Sequence, residues 1–362
     1  MIWIRPDPLK KIGVLGMNRR NVAYISRYND RSHYPLVDNK LKTKLMAGKM
    51  GLQVPELLHI INTQHEIEGV AAVLENLNSF VIKPAQGSGG KGILVIRGRK
   101  PDGYVKSSGE IVSVNDIKRH LTNTISGLHS LGGRTDVAII ESLVETTHTF
   151  EAVSFEGVPD IRLIVFKGFP VRGMLRLATR ESDGKANLHQ GAVGVGLDIG
   201  SGQAIAAVQH NRLIDTHPDT GAALGDIQVP NWPALLKLAA SCFEATQLGY
   251  LGCDIVIDRH RGPLLLELNA RPGLSIQIAN SEGLLPRLTQ IESLDSPFMT
   301  VQARVLEAMQ WFSRASSAGQ EELWSESDKQ AANATDSRTQ QRCNFVKGDN
   351  KCSYSWSAST PP

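Results

Sequence analysis

The sequence predicts a mixed α+β (α/β) fold of short strands and amphipathic helices, and three observations predict it. Residues 80–98 read FVIKPAQGSGGKGILVIRG, two β-branched runs around a glycine-rich loop. Residues 249–273 read GYLGCDIVIDRHRGPLLLELNARPG, two apolar runs around the turn DRHRGP. Two longer stretches, 113–131 and 232–248, carry apolar residues at helical spacing.

Taken in chain order, residues 1–37 form a short leader with room for one strand and one helix. Its arginines Arg19, Arg20 and Arg27 read as a solvated face or as part of a binding surface. Residues 113–131 put Ile117, Leu121, Ile125 and Leu128 on one side, with Gly132 as the stop. The 232–248 helix has Pro233 in its first turn and Gly249 at its end. A last helix starts after Asp295–Pro297 and carries Val301, Val305 and Phe312 on a stripe. From 315 to 362 only Leu323 and Val346 are branched aliphatics, too few to offset ordering entropy, so disorder is expected there.

Composition excludes several classes. A net charge of +3 in 362 residues gives no electrostatic footprint for nucleic acid or a membrane surface. The start, MIWIRPDPLKK, lacks a signal-peptide apolar core. The apolar stretch 235–257 is interrupted by Lys237, Glu244 and Asp254, so no span is expected. Cys242, Cys253, Cys343 and Cys352 lack metal-ligand spacing and read as reduced thiols of a cytoplasmic protein.

The glycine-rich loop is the first candidate site. It is no P-loop, because Lys91 is followed by Gly92 rather than Ser or Thr, and a strand follows rather than a helix. It reads as a flap between strands. Gly87, Ser88, Gly89, Gly90 and Gly92 leave backbone N–H groups free to approach phosphate oxygens, with Lys83 as a fixed charge beneath. An unliganded hairpin tip has the same pattern.

The hairpin is the second. Alternation sends Leu264, Leu266 and Leu268 one way and Glu267 and Asn269 the other. Folding about His260 and Arg261 puts Asp254 opposite Glu267, where like charges repel unless a cation lies between them. Hard oxygen donors suit Mg²⁺ completed by nucleotide phosphates, with Mn²⁺ as the alternative. Slipping the register by one residue separates the two carboxylates.

These ordered stretches resemble the ATP-grasp ligases over 36–292, and most closely their RimK-like glutamate ligase branch. VDNKLKTKLMAGKMGLQVPE is similar to the opening helix, loop and strand, with Lys40 as the first nucleotide lysine; helical spacing alone leaves Lys40 and Lys44 equivalent. AIIESLVE resembles the hinge, where Glu141, Ser142, Leu143 and Val144 would meet adenine. DIRLIVFKGFPVRGMLR and ANLHQGA bring in Asp160, Arg162, Arg176 and Asn187, and GCDIVI with LLLELNARPG supplies Asp254, Glu267 and Asn269 as metal ligands.

The resemblance implies an ATP-grasp fold: two lobes, each an antiparallel sheet with helices, with nucleotide in the cleft between them and a reduced N-terminal domain. The lobes would be 38–138 and 139–314. It implies ATP and Mg²⁺ as cofactors, a carboxylate–amine ligation through an acylphosphate, and peptide or small-molecule carboxylate and amine partners, glutamate among them. An ATP-grasp kinase and a non-catalytic regulator are the alternatives, and an oligomer is left open. Arg176 and Arg271, with Lys83, are the catalytic candidates. A guanidinium fork suits a carboxylate, a phosphoryl group or an internal ion pair equally well. His189 reads as a packing group or a base, and no covalent nucleophile stands out.

Overall fold

The computed structural model describes residues 6–87, 89–294 and 299–314. The expected disorder of 315–362, the DSP signal at 295–297, Ser88, Cys343 and Cys352 lie outside them.

Thirteen strands are described: β1 (Leu57–Ile61), β2 (Phe80–Pro84), β3 (Leu94–Lys100), β4 (Gly103–Lys106), β5 (Ile111–Val112), β6 (Ala138–Glu141), β7 (Asp160–Phe166), β8 (Phe169–Leu177), β9 (Val193–Leu197), β10 (Ala204–Gln209), β11 (Arg212–Ile214), β12 (Tyr250–Asp258) and β13 (Gly262–Asn269). They form two antiparallel sheets, ordered β1-β6-β2-β3-β4-β5 and β11-β10-β9-β8-β7-β12-β13.

The first sheet buries Phe80, Ile82, Ile96 and Ile140 against Ile117 and Leu121 of helix Val114–Ile125. Each such side chain contributes about 1.5–3 kcal/mol on burial. Ser113 and Asp116 close a capping box at the start of that helix. Its end departs from expectation. The helix stops at Ile125, where Gly127 takes φ +88, and Leu128 is exposed. A Cβ at Gly127 would meet the Arg134 carbonyl oxygen at 2.2 Å, so glycine is required two residues past the helix. The helix Trp232–Thr246 likewise ends before Gly249, with Gln247 in the left-handed region. The last helix runs Val301–Phe312, capped by Thr300.

The leader forms short helical turns, and the expected strand is missing from its described residues. It packs on the second sheet. Leu15, Tyr24 and Ile25 join that core, Tyr24 meets Phe166 edge-on, and Asn29 donates to the carbonyls of Tyr250 and Ala270. Arg20 donates to the Pro272 carbonyl at 2.8 Å and Arg27 stays exposed beside Glu292. The helix Lys40–Lys49, read from the sequence with the first lobe, lies against the second sheet, where Met46, Leu52 and Val54 pack. Cys242 and Cys253 are buried free thiols. Among the described residues no helix is long and apolar enough to cross a membrane.

Candidate functional site

The hairpin β12–β13 turns about His260, one residue off the expected fold about His260 and Arg261, and a bulge restores the expected pairing at Asp254. Asp254 pairs with Glu267 and Gly252 with Asn269. A bulge between Asp254 and Ile255 leaves Leu266 without a partner, which corrects the leucine alternation. Leu264 pairs with Val256, two residues along from Asp254, so it shares the carboxylate face. Leu265 and Leu268 turn into the core instead.

Asp254 is flanked on both sides, with Glu267 across from it on β13 and Arg162 on β7. Arg162 holds both carboxylate oxygens of Asp254, the Nη2–Oδ2 bond being 2.6 Å. Arg176 sits opposite Asp160 and grips it through both nitrogens of its fork, while its Nη2 lies 3.0 Å from Asp254 Oδ2. Two carboxylates and two guanidiniums thus share one buried face. Burial alone would raise Asp254, but Arg162 and Arg176 hold it below the usual carboxylate range. Asp160 is pushed up by burial, against Arg176 and with Asp254 adding to the rise. Asn269 Nδ2 donates to Asp254 at 3.3 Å.

Cations come from Lys83 on β2 and from Lys40 and Lys44 on the helix Lys40–Lys49. Lys40 Nζ donates to the Gly87 carbonyl at 2.8 Å and stands 3.6 Å from Glu267. One lysine therefore touches both the flap and the acidic hairpin. Lys83 is engaged with Glu141, whose other oxygen pairs with Lys44 at 2.7 Å. Burial would raise Glu141, but Lys83 and Lys44 outweigh it and hold the carboxyl down. Lys44 was missed as a site residue; its only signal was the four-residue spacing from Lys40. Gly89 and Gly90 take φ +62 and +75, and a Cβ at either would have open space around it.

Other candidates are placed less centrally. The Ser142 N–H already bonds the Glu56 carbonyl at 2.9 Å, and Leu143 O accepts from Arg261. Asn187 caps the turn Leu188–Gln190 by accepting from the His189 N–H, and His189 is exposed. Arg271 is exposed, its guanidinium 5.2 Å above the Tyr34 ring. Asp258 is a second missed residue. It accepts from the N–H groups of Glu145, His260 and Arg261, tying the hairpin turn to the segment after the hinge.

The family of sugar-transfer associated ATP-grasp proteins matches residues 19–293, about three quarters of the chain. The chain belongs to that family. Its ATP-grasp fold is the pair of antiparallel sheets with their helices described above. No curated protein matches it. Similar solved structures include the ATP-grasp ligase PsnB complexed with a minimal precursor, at 14% identity over 73% of this chain and 61% of that one, TM-score 0.41. D-alanine–D-alanine ligase from Bacillus anthracis complexed with ATP shares 11% identity over 78% and 67%, TM-score 0.40. An L-amino acid ligase from Bacillus licheniformis shares 14% over 68% and 43%, TM-score 0.38. The chain thus spans about 61% of the length of PsnB.

In this ATP-grasp chain the donor set of Asp254, Glu267 and Asn269 fits a hard divalent cation in chemistry: two carboxylates in direct register and one amide oxygen on the same strand face. No group of three His, Cys, Asp or Glu gathers among the described residues, so nucleotide phosphates and water have to complete the shell.

Proposed function

We propose that this protein is an ATP-dependent carboxylate–amine ligase whose products are an amide, ADP and phosphate. The observation that carries the reading is Lys40, which bonds the flap at Gly87 while facing Glu267 on the hairpin. A phosphate chain laid along Lys40 has flap amides on one side and hairpin carboxylates on the other. Lys83, turned from Glu141, adds a second ammonium, and the adenine would lie by Leu143, Val144 and the apolar pair Val256–Leu264.

Mg²⁺ on Asp254, Glu267 and Asn269 would neutralise charge on the phosphates. The chain's own residues do the rest. A substrate carboxylate oxygen attacks the γ-phosphorus, ADP leaves, and the acylphosphate forms. The amine then attacks the acyl carbon, phosphate leaves, and the amine proton passes to solvent. Arg271, exposed and carried on the loop that follows Asn269, steadies the carboxylate. Asp160, Arg162 and Arg176 fix Asp254 in place. Closure of the glycine flap keeps water from the acylphosphate. The motif resemblance to RimK-like enzymes supports amino acids or a peptide end as substrates, with glutamate a candidate for one of the two partners.

The test is product analysis with hydroxylamine in place of the amine. ADP, phosphate and a hydroxamate are expected. AMP and pyrophosphate, or a phosphorylated hydroxyl acceptor, would overturn the reading.

A further inference from the structure

A cavity of about 340 Å³ lies against the second sheet beside the turn Leu188–Gln190. Leu188, Ala192, Val208 and Ile278 form its aliphatic side, and His189, His210, Asn211 and Ser275 its polar side. The lining holds no Lys, Arg, Asp or Glu and no aromatic ring other than imidazole, and His210 already has Glu181 at 2.9 Å.

Strand register places this cavity on the catalytic face. Asp160 pairs with Arg176, Arg176 with Gly194, and Gly194 with Val208. Directly paired residues share a sheet face. Strand β9 reads VGVGL, and a Cβ at Gly194 would meet Leu188 Cδ2 at 2.8 Å, while one at Gly196 would meet the Ala279 carbonyl at 2.4 Å. The two glycines let the 187–191 turn and the segment 276–280 settle close over the face that carries Arg176. The loop from Asn269 to Ser275 leads from β13 to helix Ile276–Ala279, which packs on β8, β9 and β10.

Distance sets the size of the ligand. Val208 on β10 is four strands from Asp254 on β12. At about 4.8 Å per strand that is roughly 19 Å along the sheet. A free amino acid cannot hold its carboxylate at phosphates placed over Asp254 and Glu267 and also fill the cavity. An extended chain advances about 3.3–3.6 Å per residue, so roughly five residues cover the span.

The geometry points to a distal subsite for an extended peptide. The peptide's C-terminal carboxylate lies at Arg271, on the loop that follows Asn269, and an uncharged aliphatic side chain several residues upstream fills the cavity at Ile278. This rests on the ligase reading, with the carboxylate substrate now a peptide rather than a free amino acid. The lining without lysine or arginine favours an uncharged side chain over an acidic residue, and its aliphatic side at Leu188, Ala192, Val208 and Ile278 is where that side chain packs.

The experiment measures binding to the full chain with ADP and Mg²⁺ present. Probes are leucyl-alanine, leucyl-tri-alanine, leucyl-tetra-alanine, glutamyl-tetra-alanine and maltopentaose. Affinity is expected to rise at least tenfold from leucyl-alanine to leucyl-tetra-alanine, with glutamyl-tetra-alanine weaker. Ile278→Trp, at a position 41% exposed, fills the cavity and should erase the gain. Ile278→Lys should invert the preference toward the glutamyl peptide, and circular dichroism checks that both variants fold. No length dependence, no peptide binding, indifference to both variants, or tighter binding of maltopentaose overturns the subsite. Peptide binding that responds to Ile278 without any ADP release overturns the ligase reading and leaves the subsite standing. Turnover of free amino acids with no gain from length does the reverse.

Discussion

Lys44 and Glu141 form an ion pair inside the protein, Nζ to Oε2 2.7 Å, with side chains 5% and 2% exposed. Lys83 takes the other oxygen of Glu141, and Lys44 also donates to the Pro55 carbonyl. The carboxylate is therefore a bridge holding two ammonium groups beneath the flap. Lys44→Met leaves Glu141 with one partner and should cost about 2–3 kcal/mol, below the ~3–5 of a fully broken buried pair. Glu141→Gln strands two neighbouring cations and should cost more, about 3–5 kcal/mol. Urea unfolding checks both, and the reverse ranking would dismiss the bridge.

Glu267 and Asp254 face each other but carry different loads. Glu267 is 36% exposed and pairs with Lys40, whereas Asp254 is buried between two guanidiniums. Glu267→Gln should abolish turnover and weaken Mg²⁺-dependent nucleotide binding with the melting temperature unchanged. Asp254→Asn should do both and also lower the melting temperature, because Arg162 and Arg176 lose a shared counter-charge. Calorimetry and nucleotide titration at several Mg²⁺ concentrations separate the two. Full turnover by Glu267→Gln at saturating Mg²⁺ would remove the metal assignment.

The flap is anchored at both ends. Lys40 bonds Gly87, and a His120 ring nitrogen lies 3.1 Å from the Gly92 carbonyl. Gly92 has φ +74, and a Cβ there would sit 2.5 Å from His129 Cγ. Gly90 has φ +75 with open space. Gly90→Ala should cost about 1–2 kcal/mol from the left-handed backbone alone. Gly92→Ala should cost more and also raise the KM for ATP, since His129 has to move. Equal melting shifts for the two variants would argue against the anchor.

Asp258 makes stability depend on pH. Burial would raise it, but Arg261 and the N–H groups of Glu145, His260 and Arg261 bring it down to about 2. A carboxyl lower in the folded than in the unfolded state stabilises the fold above the unfolded value of about 4, and that contribution fades as pH falls toward 2. Asp258→Asn should lose about 1–2 kcal/mol at pH 7 and flatten the stability profile between pH 4 and 2. An unchanged acid slope in the variant would show that other groups set it.

The pairing of Asp254 with Glu267 was legible from alternation, but the turn pairs Asp258 with Gly262 and Val256 with Leu264, and only the bulge then brings Glu267 rather than Leu266 opposite Asp254. The bulge at Leu266 was not legible, because nothing in a run of three leucines says which one lacks a partner. The helix end at Ile125 was hidden for a related reason: Leu128 keeps the apolar spacing, and only the close approach of Arg134 to Gly127 ends the helix. Spacing left Lys44 equivalent to Lys40, since the partner that distinguishes it, Glu141, is far along the chain. The same long-range logic put the leader on the second sheet, where Asn29 bonds Tyr250 and Ala270.

Arg176 and Arg271 were equivalent as candidates in the sequence and are not equivalent in the fold. Arg176 is committed to Asp160 and Asp254. Arg271 is exposed above Tyr34. Lysine keeps the charge and loses the fork, so the two replacements report different roles. Arg176→Lys should lower the melting temperature, because one ammonium cannot match the two-nitrogen grip on Asp160. Its hydroxamate yield should fall together with nucleotide binding, as Asp254 loses its orientation. Arg271→Lys should melt as the parent does and bind ATP equally well, yet lose hydroxamate yield through a higher KM for the carboxylate alone. Steady-state kinetics with the carboxylate and ATP varied separately reads the split. If Arg271→Lys changes the KM for ATP and not that for the carboxylate, Arg271 belongs to the phosphate site instead.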